Sequence, residues 1–331
     1  MSVAGSRVLV TGATGFLGGY VVHDLRSHGA EVFAAGRDRV VLEQIADRSH
    51  RVLGDLASLA ETDLSVDAVI HCAALSSPWG AWRAFEEANV SGTAHVAEFA
   101  RRNGVRRIVN VSSPSLYAAP RDQWSVREDH PLPSSPMNGY IRSKIAAEAL
   151  LTDALRRGRL PELVTMRPRG LIGVGDRSLV PRLIAMNRRL GVPIFDGGVT
   201  VIDVTAVENV AVALRLALTE GDGDGGVYNI ANDEPREFGD LLSTLFGMLG
   251  EPLRERRMNR RVAWAAAGAI ESAFTVVPGR PEPPFTRYTL STIAFSLTLD
   301  ITRAKRELGY LPVVPIDESL ERIARDLRDR P

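Results

Sequence analysis

Cysteine is almost missing from this chain of 331 residues, where Cys72 carries the single thiol. One cysteine excludes an internal disulfide and any multi-cysteine zinc site. The histidines His23, His28, His50, His71, His95 and His130 show no metal-ligand spacing, so no metal is expected. Long apolar runs are missing as well. The longest, around Val262 to Ile270, falls far short of the ~20 residues that span a bilayer. An excess of charge of either sign is absent, with 40 Lys and Arg against 40 Asp and Glu, so no basic field argues for nucleic acid. No repeat, low-complexity tract or basic-then-apolar leader is visible. A soluble, cytoplasmic, globular protein acting on a small molecule is the expectation.

What the chain does have begins near its start. Arg7-Val8-Leu9-Val10 reads as a strand and runs into Thr11-Gly12-Ala13-Thr14-Gly15-Phe16-Leu17-Gly18. The amphipathic segment that follows reads as a helix. Gly12, Gly15 and Gly18 have the spacing G-x-x-G-x-x-G, a variant of the dinucleotide fingerprint. Gly12 allows the sharp turn, Gly15 lets backbone approach a pyrophosphate, and Gly18 allows close packing of the helix. The phosphates would sit at the helix N-terminus, where free N–H groups and the dipole favour an anion.

Strand and helix patterns then alternate. Strands are expected at Arg7–Thr11, Glu31–Gly36, His50–Gly54, Ala68–Ala73, Arg107–Ser112 and Leu163–Arg167, with helices at Phe16–His28, Arg39–Arg48, Trp82–Asn103 and Met137–Arg157. Such alternation predicts an α/β fold, a doubly wound parallel Rossmann sheet with a smaller mixed α/β C-terminal part. Residues 1–168 are expected to bind the dinucleotide, with 200–231 returning to that domain. Residues 169–199 and 232–331 are expected to bind substrate. Beyond Arg169 the sequence predicts loops, a short strand Thr200–Val204, helices Val262–Phe274 and Ile316–Arg328, and a Pro-rich loop Pro278–Pro284. The basic run Arg254–Arg261 reads as a solvated face, with peripheral membrane contact as the alternative.

Tyr140 and Lys144 are four residues apart and share one face of a helix. An ammonium beside a phenol favours the phenolate, which predicts a lowered Tyr140 pKa and an acid/base for a carbonyl or alcohol oxygen. Ser112-Ser113-Pro114-Ser115 falls at the C-terminal edge of the sheet, where open α/β folds bind ligands. A hydroxyl from this group can hold the substrate oxygen beside the phenol.

Glycine loop, Ser and Tyr-x-x-x-Lys in this order resemble the extended branch of the short-chain dehydrogenase/reductase superfamily, over essentially the whole chain. The resemblance implies that Thr11, Gly12, Thr14, Gly15, Phe16, Leu17 and Gly18 form the cofactor loop. It further implies that Asp55 and Leu56 lie by the adenine, and that Cys72, Ala73, Ala74 and Pro168 line the cofactor. It makes Asn89 an organiser of the site, Tyr140 the acid/base and Lys144 a ligand of the nicotinamide ribose. Ser113 is the implied catalytic serine, four residues before Tyr117. A Tyr common in the later loop of that family is Ile172 here.

At the end of the second strand Gly36 stands where enzymes of the unphosphorylated cofactor place an acid, and Arg37 follows. A guanidinium suits a 2′-phosphate, so NADP(H) is the expected cofactor. NAD(H) is the alternative, with Asp38 as the acid. Pro114-Ser115 replaces the Asp-Glu pair of sugar-nucleotide dehydratases. The loop Arg280–Tyr288 and the tail Thr298–Tyr310 resemble the 3β-hydroxysteroid dehydrogenase-like group, which includes β-keto acid reductases. The expected enzyme is a ketoreductase of a bulky, largely apolar substrate, with Trp264, Phe274, Phe285, Tyr288 and Phe295 available as pocket walls. The rivals are a redox-neutral nucleotide-sugar epimerase, needing Arg182, Arg188 or Arg287 for a diphosphate, and a non-catalytic nucleotide sensor. The resemblance also implies a homodimer through Trp82–Asn103 and Met137–Arg157.

Overall fold

Runs of Val, Ile, Leu and Ala form the strands at the centre of the molecule. The computed structural model describes residues 2–277 and 281–329. In it β1 (Arg7–Thr11), β2 (Glu31–Gly36), β3 (Arg51–Leu53), β4 (Ala68–His71) and β5 (Arg107–Val111) share one sheet with Glu162–Pro168 and Asp224–Ile230. Across the sheet the order is Asp224–Ile230, Glu162–Pro168, β5, β4, β1, β2, β3, and every pairing is parallel. Parallel strands are covered on both faces and need continuous apolar runs. Val8, Leu9, Val10, Val69 and Ile70 are accordingly inaccessible to solvent. The doubly wound Rossmann sheet is therefore formed as expected.

On one face α1 (Phe16–Ser27) packs with helix Val207–Leu216 through Val21, Val22, Leu25, Val210 and Leu214. Ile301, Ala304, Leu308 and Tyr310 join the same core. Helices Gly92–Arg102 and Gly139–Arg156 cover the other face with Val96, Phe99 and Leu151. A separate core gathers Ile172, Val180, Leu183, Phe238, Leu242 and Phe246 with Leu320 and Ile323 of helix Ile316–Asp329. Strand order reverses between β1 and β4, and the crevice outside their carboxyl ends is where such sheets take ligands.

Several elements differ from the sequence reading. Trp82–Asn103 is not one uniform helix: Trp82–Phe85 is α, Glu86–Ser91 is a π-turn, and Gly92–Arg102 resumes the α-helix. Helix α2 (Arg39–Ile45) stops before Arg48, which starts a separate short turn. Strand Gln123–Val126 was not expected. It pairs in parallel with Leu297–Leu299, which also meets Val201–Ile202, so its partner lies at the far end of the chain. The basic run contains strand Glu255–Arg257 and the start of helix Arg260–Thr275. Arg260 is tied to Asp122 and Asp196 instead of facing solvent freely. Within the Pro-rich loop, Pro278, Gly279 and Arg280 lie outside the described residues. Among those described, no helix is long and apolar enough to cross a membrane.

Candidate active site

The glycine loop closes over the crevice with no room to spare. Gly12 has φ +67°, and a Cβ there would lie 2.8 Å from both Cα and N of Ala73. Both the backbone conformation and the approach of the β4 loop demand glycine. A Cβ on Gly18 would fall 2.1 Å from the Gly12 carbonyl oxygen. Gly15 donates its N–H to that oxygen at 2.9 Å and caps α1 without a side chain. The first-turn amides of α1, including Phe16 and Leu17, therefore face the crevice with no intrahelical partner. The turn is lined by backbone donors, and a side chain at Gly12 or Gly18 would drive its main chain apart. It fits a dinucleotide pyrophosphate.

The residues expected beside the adenosine lie along the neighbouring strand ends. Thr14 packs where a Gly36 side chain would go, since a Cβ there would lie 2.7 Å from Thr14 Cγ2. Arg37 is exposed and has no hydrogen bond or ion pair among the described residues. Asp38 is engaged, its carboxylate accepting the Val41 amide at 3.1 Å as the cap of α2. Asp55 caps α3 (Leu56–Ala60) by accepting the Ser58 amide at 2.9 Å, which holds its carboxyl below the usual range. Leu56 packs against Gly92 of the opposite helix. Cys72, Ala73 and Ala74 follow β4. Burial pushes the Cys72 thiol up to about 12, which makes it inert as a nucleophile. Pro168 is buried at the end of its strand.

At the other end of the crevice Asn138 caps helix Gly139–Arg156, accepting the Ile141 amide at 2.9 Å. Tyr140 and Lys144 lie on the buried side of that helix. Ser113 ends the loop after β5 and its hydroxyl meets the Tyr140 phenol. From there a line of hydroxyls continues: Ser113 Oγ donates to Ser115 Oγ at 3.0 Å, and Ser115 Oγ bonds Tyr288 Oη at 2.8 Å. Tyr288 reaches this place because Thr286 caps helix Arg287–Ala294 through a reciprocal bond with Thr289. Phe285 and Phe295 instead fill a small core beside Leu290, with Trp264 edge-on to Phe295.

The protonation states correct one expectation. Tyr140 is pushed up to about 12, chiefly by burial and then by Tyr288, with Ser113 and Ser76 opposing. Lys144 does not lower it here. Its Nζ donates to the Val111 carbonyl at 2.8 Å, and burial pulls it down to about 8. In a dry crevice desolvation shifts both groups toward their neutral forms, and Lys144, still mostly protonated at pH 7, contributes no lowering of the phenol.

The π-turn explains Asn89. It turns the residue inward, where Oδ1 accepts the Leu75 amide at 2.7 Å and Nδ2 donates to the Leu75 carbonyl and to Ser143 Oγ. Asn89 thus joins the loop after β4 to the helix of Tyr140 and touches neither phenol nor ammonium. A further line was not visible in the sequence. His71 bonds Thr11 Oγ1 at 2.7 Å and Thr93 Oγ1 at 3.1 Å, and Thr93 donates to the Asn89 carbonyl. Thr93 must therefore accept from His71 Nε2–H, leaving Nδ1 to accept from Thr11. Burial holds His71 neutral down to about pH 3.

Comparison with known proteins agrees with this geometry. Residues 8–231 match the NAD dependent epimerase/dehydratase family. The chain belongs to that family. The 2-alkyl-3-oxoalkanoate reductase of Stenotrophomonas maltophilia is 30% identical over 96% of this chain and 98% of its own. Human sterol-4-alpha-carboxylate 3-dehydrogenase, decarboxylating, is 28% identical over 97% of this chain and 88% of its own. Among solved structures, dTDP-glucose 4,6-dehydratase DesIV from Streptomyces venezuelae, with NAD and TYD bound, aligns with a TM-score of 0.77. It is 25% identical, covering 98% of this chain and 97% of that one. The expectation of a nicotinamide-dependent, extended short-chain dehydrogenase/reductase is met, and this member of the epimerase/dehydratase family is an oxidoreductase.

Proposed function

We propose that the enzyme transfers hydride between NADP(H) and a ketone or secondary alcohol on a bulky, largely apolar substrate. The observation that carries this is the buried Tyr140 phenol beside Ser113, on one helix face with Lys144, next to the tight glycine turn of the crevice. A nicotinamide dinucleotide held there supplies the hydride. The Thr11–Gly18 loop would hold its pyrophosphate, and Asp55, Leu56 and Cys72–Ala74 its adenine and ring flanks. Tyr140 gives or takes the proton at the substrate oxygen, Ser113 orients that oxygen, and Lys144 binds the ribose. The names of the reductase and the sterol dehydrogenase, both acting on substrates with an oxygen near a carboxyl group, support this substrate class.

The epimerase reading has less support. The three arginines available for a diphosphate are already paired, Arg182 with Glu282, Arg188 with Glu251 and Arg287 with Glu271. Retained Tyr140 and Lys144 speak against a sensor without activity.

Arg37 supports NADP(H), because it stands unpaired at the end of β2 while the rival acid, Asp38, is committed to capping a helix. Arg37→Ala should weaken NADPH about 10-fold or more, on the order of 1.4 kcal/mol, and leave NADH within about twofold. A fluorescence titration with both nucleotides checks this, and equal losses would refute the phosphate reading. A homodimer through the faces of Trp82–Arg102 and Gly139–Arg156 completes the proposal. Sedimentation at micromolar concentration should give twice the chain mass, and a monomer would remove this part.

A further inference from the structure

Arg169 follows strand Glu162–Pro168, and its main chain is fixed on both sides. Its N–H donates to the Ile230 carbonyl at 2.9 Å, and its carbonyl accepts from Thr205 Oγ1. The residue is 7% exposed. Its guanidinium nonetheless makes no hydrogen bond or ion pair among the described residues, and Nε is buried without any partner. The other deeply placed arginines are saturated. Arg167 grips Glu148 with two bonds of 3.0 and 2.6 Å and bonds Tyr117, while Arg107 holds Glu162 and two carbonyls. A buried, unpaired guanidinium is destabilising by itself, so its presence calls for a ligand. The carboxylate of Asp203, whose Oδ2 accepts the Leu299 amide at 2.6 Å, attracts the guanidinium from beyond ion-pair distance and makes no direct bond to it.

Arg169 lines a small pocket of mixed polarity with Ser115, Gln123 and Tyr288, and the exposed Arg121 stands at its edge. Its volume is about 10 Å³, room for one oxygen-sized group. Ser115 and Tyr288 are also the outer members of the hydroxyl line that starts at Ser113, beside Tyr140. Gln123 donates its amide to the Tyr117 carbonyl at 2.8 Å, which leaves Oε1 in the pocket as an unmatched acceptor. We propose that Arg169 receives a carboxylate oxygen of the substrate, so that the enzyme acts on keto acids in preference to neutral ketones. A guanidinium binds a carboxylate oxygen by a charge-assisted hydrogen bond, and a neutral ester oxygen lacks that charge. This rests on the ketone-reductase reading and adds the residue that selects the substrate. A single water, donating to Gln123 and accepting from Arg169, is the competing occupant.

The test compares a 2-alkyl-3-oxoalkanoate with its methyl ester, using wild type, Arg169→Met and Arg169→Lys. Wild type should favour the acid by about 100-fold in kcat/KM, Arg169→Met should bring the ratio to within about threefold of one, and Arg169→Lys should keep part of it. The ligand-free Arg169→Met protein should melt at or above the wild-type temperature, because an unpaired buried charge is gone. An unchanged acid-to-ester ratio would mean that only water occupies the pocket and would overturn the proposal. A variant that melts several degrees lower and loses both substrates equally would show a structural role, with the same consequence. If wild type reduces neither compound, the ketone-reductase reading fails, and binding decides the role of Arg169. The corresponding 3-hydroxy acid should then raise the melting temperature of wild type and not of Arg169→Met. Equal shifts, or none, reject it.

Discussion

Tyr140→Phe should lower turnover about 10³-fold, roughly 4 kcal/mol of barrier, and leave nucleotide affinity within about twofold. The hydroxyl is the single atom removed, and it is the one that meets Ser113. With its pKa pushed up to about 12, the phenol holds its proton across the neutral range. That is the form required for reduction, where the proton goes to the ketone oxygen. Oxidation of the alcohol needs the phenolate instead, so its rate should rise with pH throughout the range in which the protein is folded. Steady-state rates in both directions, with a parallel nucleotide titration, measure these effects. A variant with more than a tenth of wild-type turnover would remove Tyr140 from the chemistry.

Gly18→Val should abolish nucleotide binding, by about 100-fold or more, and lower the melting temperature by several degrees. The first added carbon would sit 2.1 Å from the Gly12 carbonyl oxygen, 2.7 Å from its carbon and 2.8 Å from Ala13 Cα. All three are main-chain atoms of the loop, so no side chain can swing aside to absorb the overlap. Either the loop or the start of α1 must move, and the first-turn amides then lose their common direction. Binding of NADPH in a fluorescence titration, together with thermal melts, reports both consequences. Affinity kept within threefold would show that the loop does not cradle the phosphates.

Both of these sites were legible in the sequence, because each is specified by residues close together in the chain. Gly12, Gly15 and Gly18 are within seven residues of one another, and their meaning is local: a turn, a close approach and a helix start. The same holds for Tyr140 and Lys144, which share a helix face because four residues nearly complete a turn. Alternating apolar runs likewise announced the parallel sheet, because each strand buried on both faces has to carry its own signal.

The rest depended on partners far apart in the chain. Gln123–Val126 has too few residues and too much polarity to read as a strand, and it becomes one only when Leu297–Leu299 arrives beside it. Trp82–Asn103 has one helical period, yet the chain inserts a π-turn so that Asn89 can reach the loop after β4 and the helix of Tyr140. Tyr288 was visible as one aromatic among several, and its bond to Ser115 required the whole C-terminal part to fold over the sheet edge.

By itself, then, the sequence determined the Rossmann architecture, the tight glycine turn at the start of α1 and the tyrosine–lysine face, since each is specified by neighbours a few residues apart. Tertiary structure alone decided the proton affinities of Tyr140 and Lys144, the hydroxyl line to Tyr288, and the isolation of Arg169. Those are properties of surroundings. Burial sets the desolvation that raises the phenol and lowers the ammonium, and packing decides which buried arginine finds a carboxylate and which is left facing a pocket.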